Sequence, residues 1–436
     1  MVCFMSNSIL LPELLAPAGS MERFESALIY GANAVYLGGR DQLNLRHSAL
    51  GFSWEELDLA IAKAKLKGMK IYYCINAFPR QSAFASVDES LERLSGLAIN
   101  GLIVADGGVF RKARKLAPNL DVHVSTQANT SSAEAALFWH EQGATRVNLA
   151  RELDVTALRQ TVGAIKKQAP SLECEVFVHG AMCLAISGQC LLSAWLNQRP
   201  GNLGQCTHPC RFEYRAKEYA LTEISVDESL RHDEFKGEPI WHVAENEDGF
   251  SAFWSPQELC LIKYLPWFTR LGVNSLKLEG RMRTAPVVAQ MVNVYRTALD
   301  DFAAGNFRPA LYLRELAYLA SRPMGSGFFL PQGKRKVFSA PQKNKTTPTI
   351  VARLERKSRS NSWIVQTKSP WSADKPIEIL LPNLNNIALP PGKYALENHR
   401  GERVDLLHPG TEAEVFLELE PTALAGLEYG MFIRAV

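Results

Sequence analysis

The 436-residue chain carries 48 Lys and Arg against 45 Asp and Glu, a formal charge of +3, and 47% of its residues are hydrophobic. That length and composition exclude a disordered or fibrous chain and allow two or three domains with ample core. Its apolar runs are far shorter than the roughly 20 residues that cross a bilayer, and its first residues lack the basic start and cleavage site of a signal peptide, so a cytoplasmic protein is expected.

From residue 12 to about 180, short apolar runs alternate with amphipathic stretches of helical period. The predicted strands are Leu14–Ala16, Ala34–Leu37, Lys70–Ile75, Gly101–Val104, Val122–Ser125, Arg146–Leu149 and Glu175–His179. Between them Ser20–Tyr30, Trp54–Leu66, Ser86–Ile99, Gly108–Leu116, Ser131–Glu141 and Asp154–Lys167 read as helices. Seven such alternations predict a parallel α/β barrel of the TIM type, and "SLKLEG" at 275–280 supplies an eighth strand ahead of a long helix, Pro286–Ala304. Residues 181–260 break the rhythm with five of the eight cysteines and an acidic stretch from Asp227 to Asp248. An insertion of that length without period suggests function. Past residue 340, short alternating runs broken by Pro, Gly and Asn predict a small antiparallel barrel or sandwich. The expected organisation is a barrel domain over 1–330 with a cysteine-rich insertion at 181–260, a basic linker at 331–344, and a small C-terminal β-barrel over 345–436.

Cys183, Cys190, Cys206, Cys210 and Cys260 lie on loop-like sequence past the strand "ECEVFVHGA", where a barrel concentrates its chemistry. In a reducing compartment they read as thiols, ligands or nucleophiles before disulfides. A structural zinc site would bring close CxxC pairs, and none is present, so zinc is the weaker metal reading. A 4Fe–4S cluster accepts dispersed thiolates on a rigid scaffold, and Gly188 and Gly204, each two residues before a cysteine, would let backbone amides approach cluster sulfurs. A thiol nucleophile would want His179 or His208 as base, but no protease signature surrounds either. Cys3, Cys74 and Cys174 stand alone in apolar runs and read as packed thiols.

The segments "FVHGAMCLAISGQCLLS", "GNLGQCTHPCR", "SPQELCLI" and "LGVNSLKLEGRMRTAPVVAQMVNVYR", with "LLAPAGSMERFESALIYGANAVYLGG" nearer the start, resemble the signature regions of the U32, or collagenase-like, peptidase family. The resemblance runs from about Pro12 to Phe329. It implies a TIM-like barrel. It also implies one of several activities found within the family: hydroxylation of a tRNA wobble uridine, dependent on prephenate; hydroxylation of a ribosomal RNA cytidine; oxygen-independent hydroxylation of a quinone ring by a 4Fe–4S protein pair; or the proteolysis of the family name. Carried over by motif, the cluster ligands of the quinone branch fall on Cys183, Cys190, Cys206 and Cys260, leaving Cys210 as the surplus thiol. The sequence holds no HExxH, GxSxG or DTG-like motif for hydrolysis, whereas thiolates at a barrel mouth suit an electron carrier beside a substrate pocket. The resemblance to the RNA-hydroxylating members therefore implies RNA as the partner.

Polar residues cluster at the predicted strand ends: Glu13, Asn76, Asp106, Gln127, Arg151, Glu152, Glu175, His179, Lys277, Glu279 and Arg281. Charges inside apolar strands are costly unless paired, so "LKLEGR" and "ECEVFVHG" predict an internal polar network. Arg151, Lys277 and Arg281 are suited to a dicarboxylate such as prephenate, because guanidinium grips carboxylate through two bonds. Glu175, His179, Arg151, Lys277, Glu279 and Arg281 are the candidate catalytic residues; for each, a purely structural salt bridge is the competing role. The near-zero net charge hides one basic stretch, with ten Lys and Arg against a single acid between residues 331 and 370. Such a density suits phosphate-backbone binding, and equally a solvated surface.

Overall fold

Three-to-nine-residue runs rich in Val, Ile, Leu and Tyr can bury both faces only inside a parallel sheet, and here the sheet closes on itself. The computed structural model describes residues 10–40, 43–44, 51–183, 185–186, 189–199, 201–203, 205–211, 214–215, 244–245, 250–252, 257–320, 322–331, 337–339 and 348–436. The barrel strands are β1 (Glu13–Pro17), β2 (Ala34–Leu37), β3 (Lys70–Ile75), β4 (Gly101–Val104), β5 (Asp121–Val124), β6 (Arg146–Asn148), β7 (Glu173–Ala181) and β8 (Ser275–Leu278). Each pairs in parallel with the next, and β8 pairs with β1, in the register Glu13 to Ser275, so the cylinder has no open edge. This is the predicted TIM-like barrel.

Alternation along the strands separates two environments. Outward residues such as Leu14, Val35, Ile71, Leu102, Val122 and Val147 form one core with the surrounding helices. Inward positions hold Leu15, Tyr36, Tyr72, Cys74 and Ile103. The helices are α1 (Met21–Ile29), α2 (Trp54–Lys67), α3 (Phe84–Ser95), α4 (Gly107–Leu116), α5 (Ala133–Glu141), α6 (Val155–Gln168), α7 (Leu192–Asn197), α8 (Leu265–Leu271) and α9 (Ala285–Ala303). Their starts are set by short polar side chains that accept otherwise orphaned N–H groups: Ser53 and Glu56 form a reciprocal capping box on α2, and Asp106, Ser132 and Asp154 cap α4, α5 and α6.

The C-terminal residues form an eight-stranded antiparallel sheet around its own core of Trp363, Val365, Trp371, Ile377, Leu396, Val415 and Ile433. It is anchored to the barrel by polar and apolar contacts together. The Tyr30 hydroxyl donates to Leu380 O at 3.0 Å, Phe432 joins the barrel core, Arg353 pairs with Glu25 at 2.8 Å, and Arg434 pairs with Glu315 at 2.7 Å.

The basic stretch is less free than its composition suggests. Besides Arg353, Arg356 pairs with Glu412, Arg359 lies 3.9 Å from Glu414, and Lys368 pairs with Glu22. Lys334, Arg335, Lys336, Lys343 and Lys345 lie outside the described residues. The acidic stretch 227–243 lies outside them too. Among the described residues no helix is long and apolar enough to cross a membrane.

Candidate active site at the barrel mouth

The barrel is filled from its N-terminal end by charge rather than by aliphatic layers. Arg146, 3% exposed, reaches Glu13 at 2.6 Å, Glu173 at 2.5 Å and Glu175 at 3.3 Å. Glu175 in turn accepts from Lys277 at 2.8 Å, from Asn148 at 2.6 Å and from Ser275 at 3.0 Å. Burial works against the ionised Glu175, but Lys277 and Arg146 outweigh it and hold its carboxyl down at about 2. His123 lies against the Tyr72 ring in the same interior, and burial, reinforced by Arg146, keeps its imidazole well below its ordinary value and neutral. This is the polar network predicted from the charged strand residues; Arg146, His123, Tyr72 and Asn148 are members that the sequence did not single out.

Above that network, at the C-terminal ends of the strands, a cavity of about 100 Å³ opens. Its floor is Lys277, whose ammonium sits 4.7 Å from the Tyr36 ring centre and 5.4 Å from that of Phe177. Its walls include Asn76, Gln127, Arg151, Glu279 and Arg281. Asn76 donates to Gln127 at 3.0 Å, and Gln127 also accepts from Ser125 at 2.6 Å, which fixes the orientation of both amides. Arg151 lies flat on Phe177, 3.8 Å from its centre, and donates to Ala181 O at 2.9 Å. Arg281, 3% exposed, donates to Asn44 at 2.9 Å. The Nε–H groups of Arg151 and Arg281 are both buried and find no hydrogen-bond partner among the described residues. Two guanidiniums with unspent donors in one small cavity are an anion-binding arrangement, since a buried donor left unpaired is costly.

The lid of the cavity comes from the cysteine-rich insertion. Cys183, Cys190 and Cys206 all line it, together with His208. The loop doubles back at Gly201, where an added Cβ would lie 3.5 Å from Cys190 O and 3.7 Å from Cys206 Cβ. Cys260 is placed differently. It belongs to the strand Glu258–Cys260, antiparallel to the end of β7 and opposite His179; it is 1% exposed, is not among the cavity-lining residues, and shares a hydrogen bond with Tyr295. Cys183, Cys190 and Cys206 line one cavity and Cys260 stands outside it, and among the described residues no three His, Cys, Asp or Glu side chains are grouped closely enough to hold a metal ion, so the carried-over ligand set is not assembled here as a cluster site.

Five other predicted residues also sit away from the mouth. His179 follows a bulge in β7, where Lys277 pairs with Phe177 but Leu278 pairs with His179; the extra residue turns the imidazole outward, to within 3.3 Å of the Tyr295 hydroxyl on α9. Burial lowers His179 to about 4, so it is neutral there. Glu175 is sealed in the network below the cavity and acts only through Lys277. Asp106 accepts from Val109 N at 2.9 Å as a helix cap. Glu152 is exposed, and Glu13 belongs to the opposite end of the barrel, where it lines a separate cleft with Lys70 and Arg146. Tyr36, Ser125, Thr126 and Phe177 line the cavity without having been singled out, and Cys74, read as a packed thiol, lines it too; for Tyr36, Cys74 and Ser125 the signal available was their place within one step of a strand C-terminus.

A closed parallel barrel whose C-terminal mouth is roofed by a thiol-bearing loop defines the class of protein. Residues 19–338 match Peptidase family U32, and the chain belongs to that family. It is 33% identical over 380 residues to a protein of Bacillus subtilis (strain 168) named tRNA hydroxylation protein P1, a match covering 86% of this chain and 85% of that one. It is 30% identical over 453 residues to tRNA hydroxylation protein P of Escherichia coli (strain K12), covering 97% and 96%. A protein of Porphyromonas gingivalis (strain ATCC BAA-308 / W83) named collagenase is 29% identical over 330 residues, covering 73% and 74%.

Proposed function

We propose that the protein is an RNA-modifying hydroxylase acting on a tRNA uridine at the wobble position, with a 4Fe–4S cluster at the barrel mouth and prephenate as co-substrate. The observation that carries the reading is the cavity itself, which is lined by three cysteines, two arginines with unpaired buried Nε–H groups and a lysine. The relatives named for tRNA hydroxylation support it further, because the match to the Escherichia coli protein spans 97% of the chain, C-terminal sheet included. The family motif implies Cys183, Cys190, Cys206 and Cys260 as the thiolates that would hold the cluster, which requires the three cavity-lining thiols to draw together and Cys260 to give up its bond to Tyr295. Such a cluster, when bound, supplies one-electron chemistry beside the substrate pocket. Arg151 and Arg281 would grip the carboxylates of the co-substrate, Lys277 would face it from below with its ammonium positioned by the bond to Glu175, and the Asn76–Gln127 pair would offer oriented amide groups to a base edge.

Iron and sulfide analysis of anaerobically purified protein tests the cofactor. The wild type should be coloured and hold about four irons per chain, the content of the cluster, and Cys183→Ser, Cys190→Ser, Cys206→Ser and Cys260→Ser should each lose it. A colourless wild type with stoichiometric zinc would end the cluster assignment. A cysteine peptidase is the second reading, and its one structural support is that Cys206 and His208 share the cavity lining. It requires peptide hydrolysis by the purified protein that disappears in Cys206→Ala, whereas an RNA hydroxylase has none.

A further inference from the structure

Between Cys190 and Cys206 the insertion presents an apolar surface to solvent beside the cavity it roofs. Trp195, on α7, is 85% exposed and Leu191, at its N-cap, 80%, and the two are four residues apart, so they lie on one side of the turn. Exposed tryptophan of this extent is expensive to keep in water without use. The opposite face is fixed: the buried Ser193 accepts from Thr207 N at 3.0 Å, and Asn197 donates to the Thr207 hydroxyl at 2.7 Å. Thr207 adjoins Cys206, so Trp195 is held to the same loop that supplies the cavity's thiols.

Charge identifies what this face receives. Residues 181–211 contain no Asp or Glu and carry Arg199 and Arg211. Arg199 is exposed, and so is Arg80 on the neighbouring loop, which is joined to the insertion by Phe78 N donating to Asn202 O at 3.1 Å. An exposed aromatic ring on an acid-free segment, with exposed arginines on that segment and on the loop bonded to it, suits a strand with flat bases and a phosphate backbone. The cavity, at about 100 Å³, is too small for a folded strand, so a target base must leave its stack to approach it. We propose that Trp195 is the stacking platform for a base flanking the target in single-stranded RNA, with Arg199 and Arg80 contacting the backbone on either side. The proposal rests on the RNA reading above and extends it to a recognition surface.

Binding of unfractionated tRNA by the full-length protein, measured by fluorescence anisotropy across a salt series, tests it. Trp195→Ala should weaken binding about tenfold, as expected for the loss of one stacked base, while Trp195→Phe stays within about threefold of wild type. Arg199→Ser should lower the slope of affinity against salt, and Trp195→Ala should leave that slope unchanged. Because Trp195 is exposed, both of its variants should melt with the wild type. Equal affinity of wild type and Trp195→Ala would overturn the proposal. So would a change of sedimentation state in Trp195→Ala with tRNA affinity intact, which would give the face to a protein partner. Nucleoside composition separates this from the function itself: tRNA affinity lost in Trp195→Ala, with an unaltered nucleoside profile in a deletion strain, would uphold the platform and remove the hydroxylase reading.

Discussion

Glu175 and His123 show how single residues inside this barrel trade solvation for fixed partners. Lys277 and Arg146 hold Glu175 ionised in a site where burial alone would neutralise it, and breaking either pair would leave an uncompensated charge. The same positive groups and the same burial hold His123 neutral. With its folded pKa below the ordinary 6.5, His123 takes up a proton in the unfolded chain first as pH falls. Its contribution to stability is therefore complete above that value and is lost on acidification. In urea titrations at pH 7.5 and pH 5, the wild type should lose about 2 kcal/mol more than His123→Gln; equal losses would show that the imidazole titrates alike in both states. Glu175 acts in the same direction at lower pH, its contribution fading only toward its folded value of about 2. At this scale the sequence was informative about type but not about partner. "LKLEGR" announced a charged strand end, and Lys277, Glu279 and Arg281 do line the cavity. Arg146, at the start of an apolar strand, carried the same signal and is the hub of the network.

Strand β7 decides which side chains reach the mouth. Its bulge between Phe177 and His179 keeps Phe177 inward and turns His179 to the helix layer, a reversal that alternation alone cannot reveal because one inserted residue flips the remainder of the strand. Gly180 completes the turn. Its φ of +114° lies in the region that favours glycine, and an added Cβ would sit 2.6 Å from Glu279 O, a backbone atom that cannot yield without shifting the end of β8. Gly180→Ala should therefore destabilise the protein by about 2–4 kcal/mol in denaturant melts; a change below about 0.5 kcal/mol would mean that the two strands part easily. The other barrel strands and most helices were legible to within a few residues, since period-2 and period-3.6 patterns are local. The placement of Cys260 was not, because which way a cysteine points depends on the strand it pairs with, and Glu258–Cys260 pairs with β7 from more than seventy residues away in sequence.

On the scale of the whole molecule, a charge of +3 conceals an uneven distribution whose meaning changes with folding. Arg353, counted in the basic stretch, and Arg434 bind the C-terminal sheet to the barrel through Glu25 and Glu315. Composition counts charges without their partners, so it overstated the free positive surface there. It passed over the acid-free stretch around Trp195, where the exposed arginines border the cavity loop. The parts converge on one end of the barrel: a buried ion network that fixes Lys277, arginines with unspent donors, and a thiol-bearing roof. The most direct test of RNA hydroxylation at that site is mass spectrometry of nucleosides from tRNA and ribosomal RNA of a strain lacking the gene. The expected result is the loss of one hydroxylated uridine from tRNA, restored by the wild-type gene and not by Cys206→Ser; an unchanged set of nucleosides in the deletion strain would contradict the assignment.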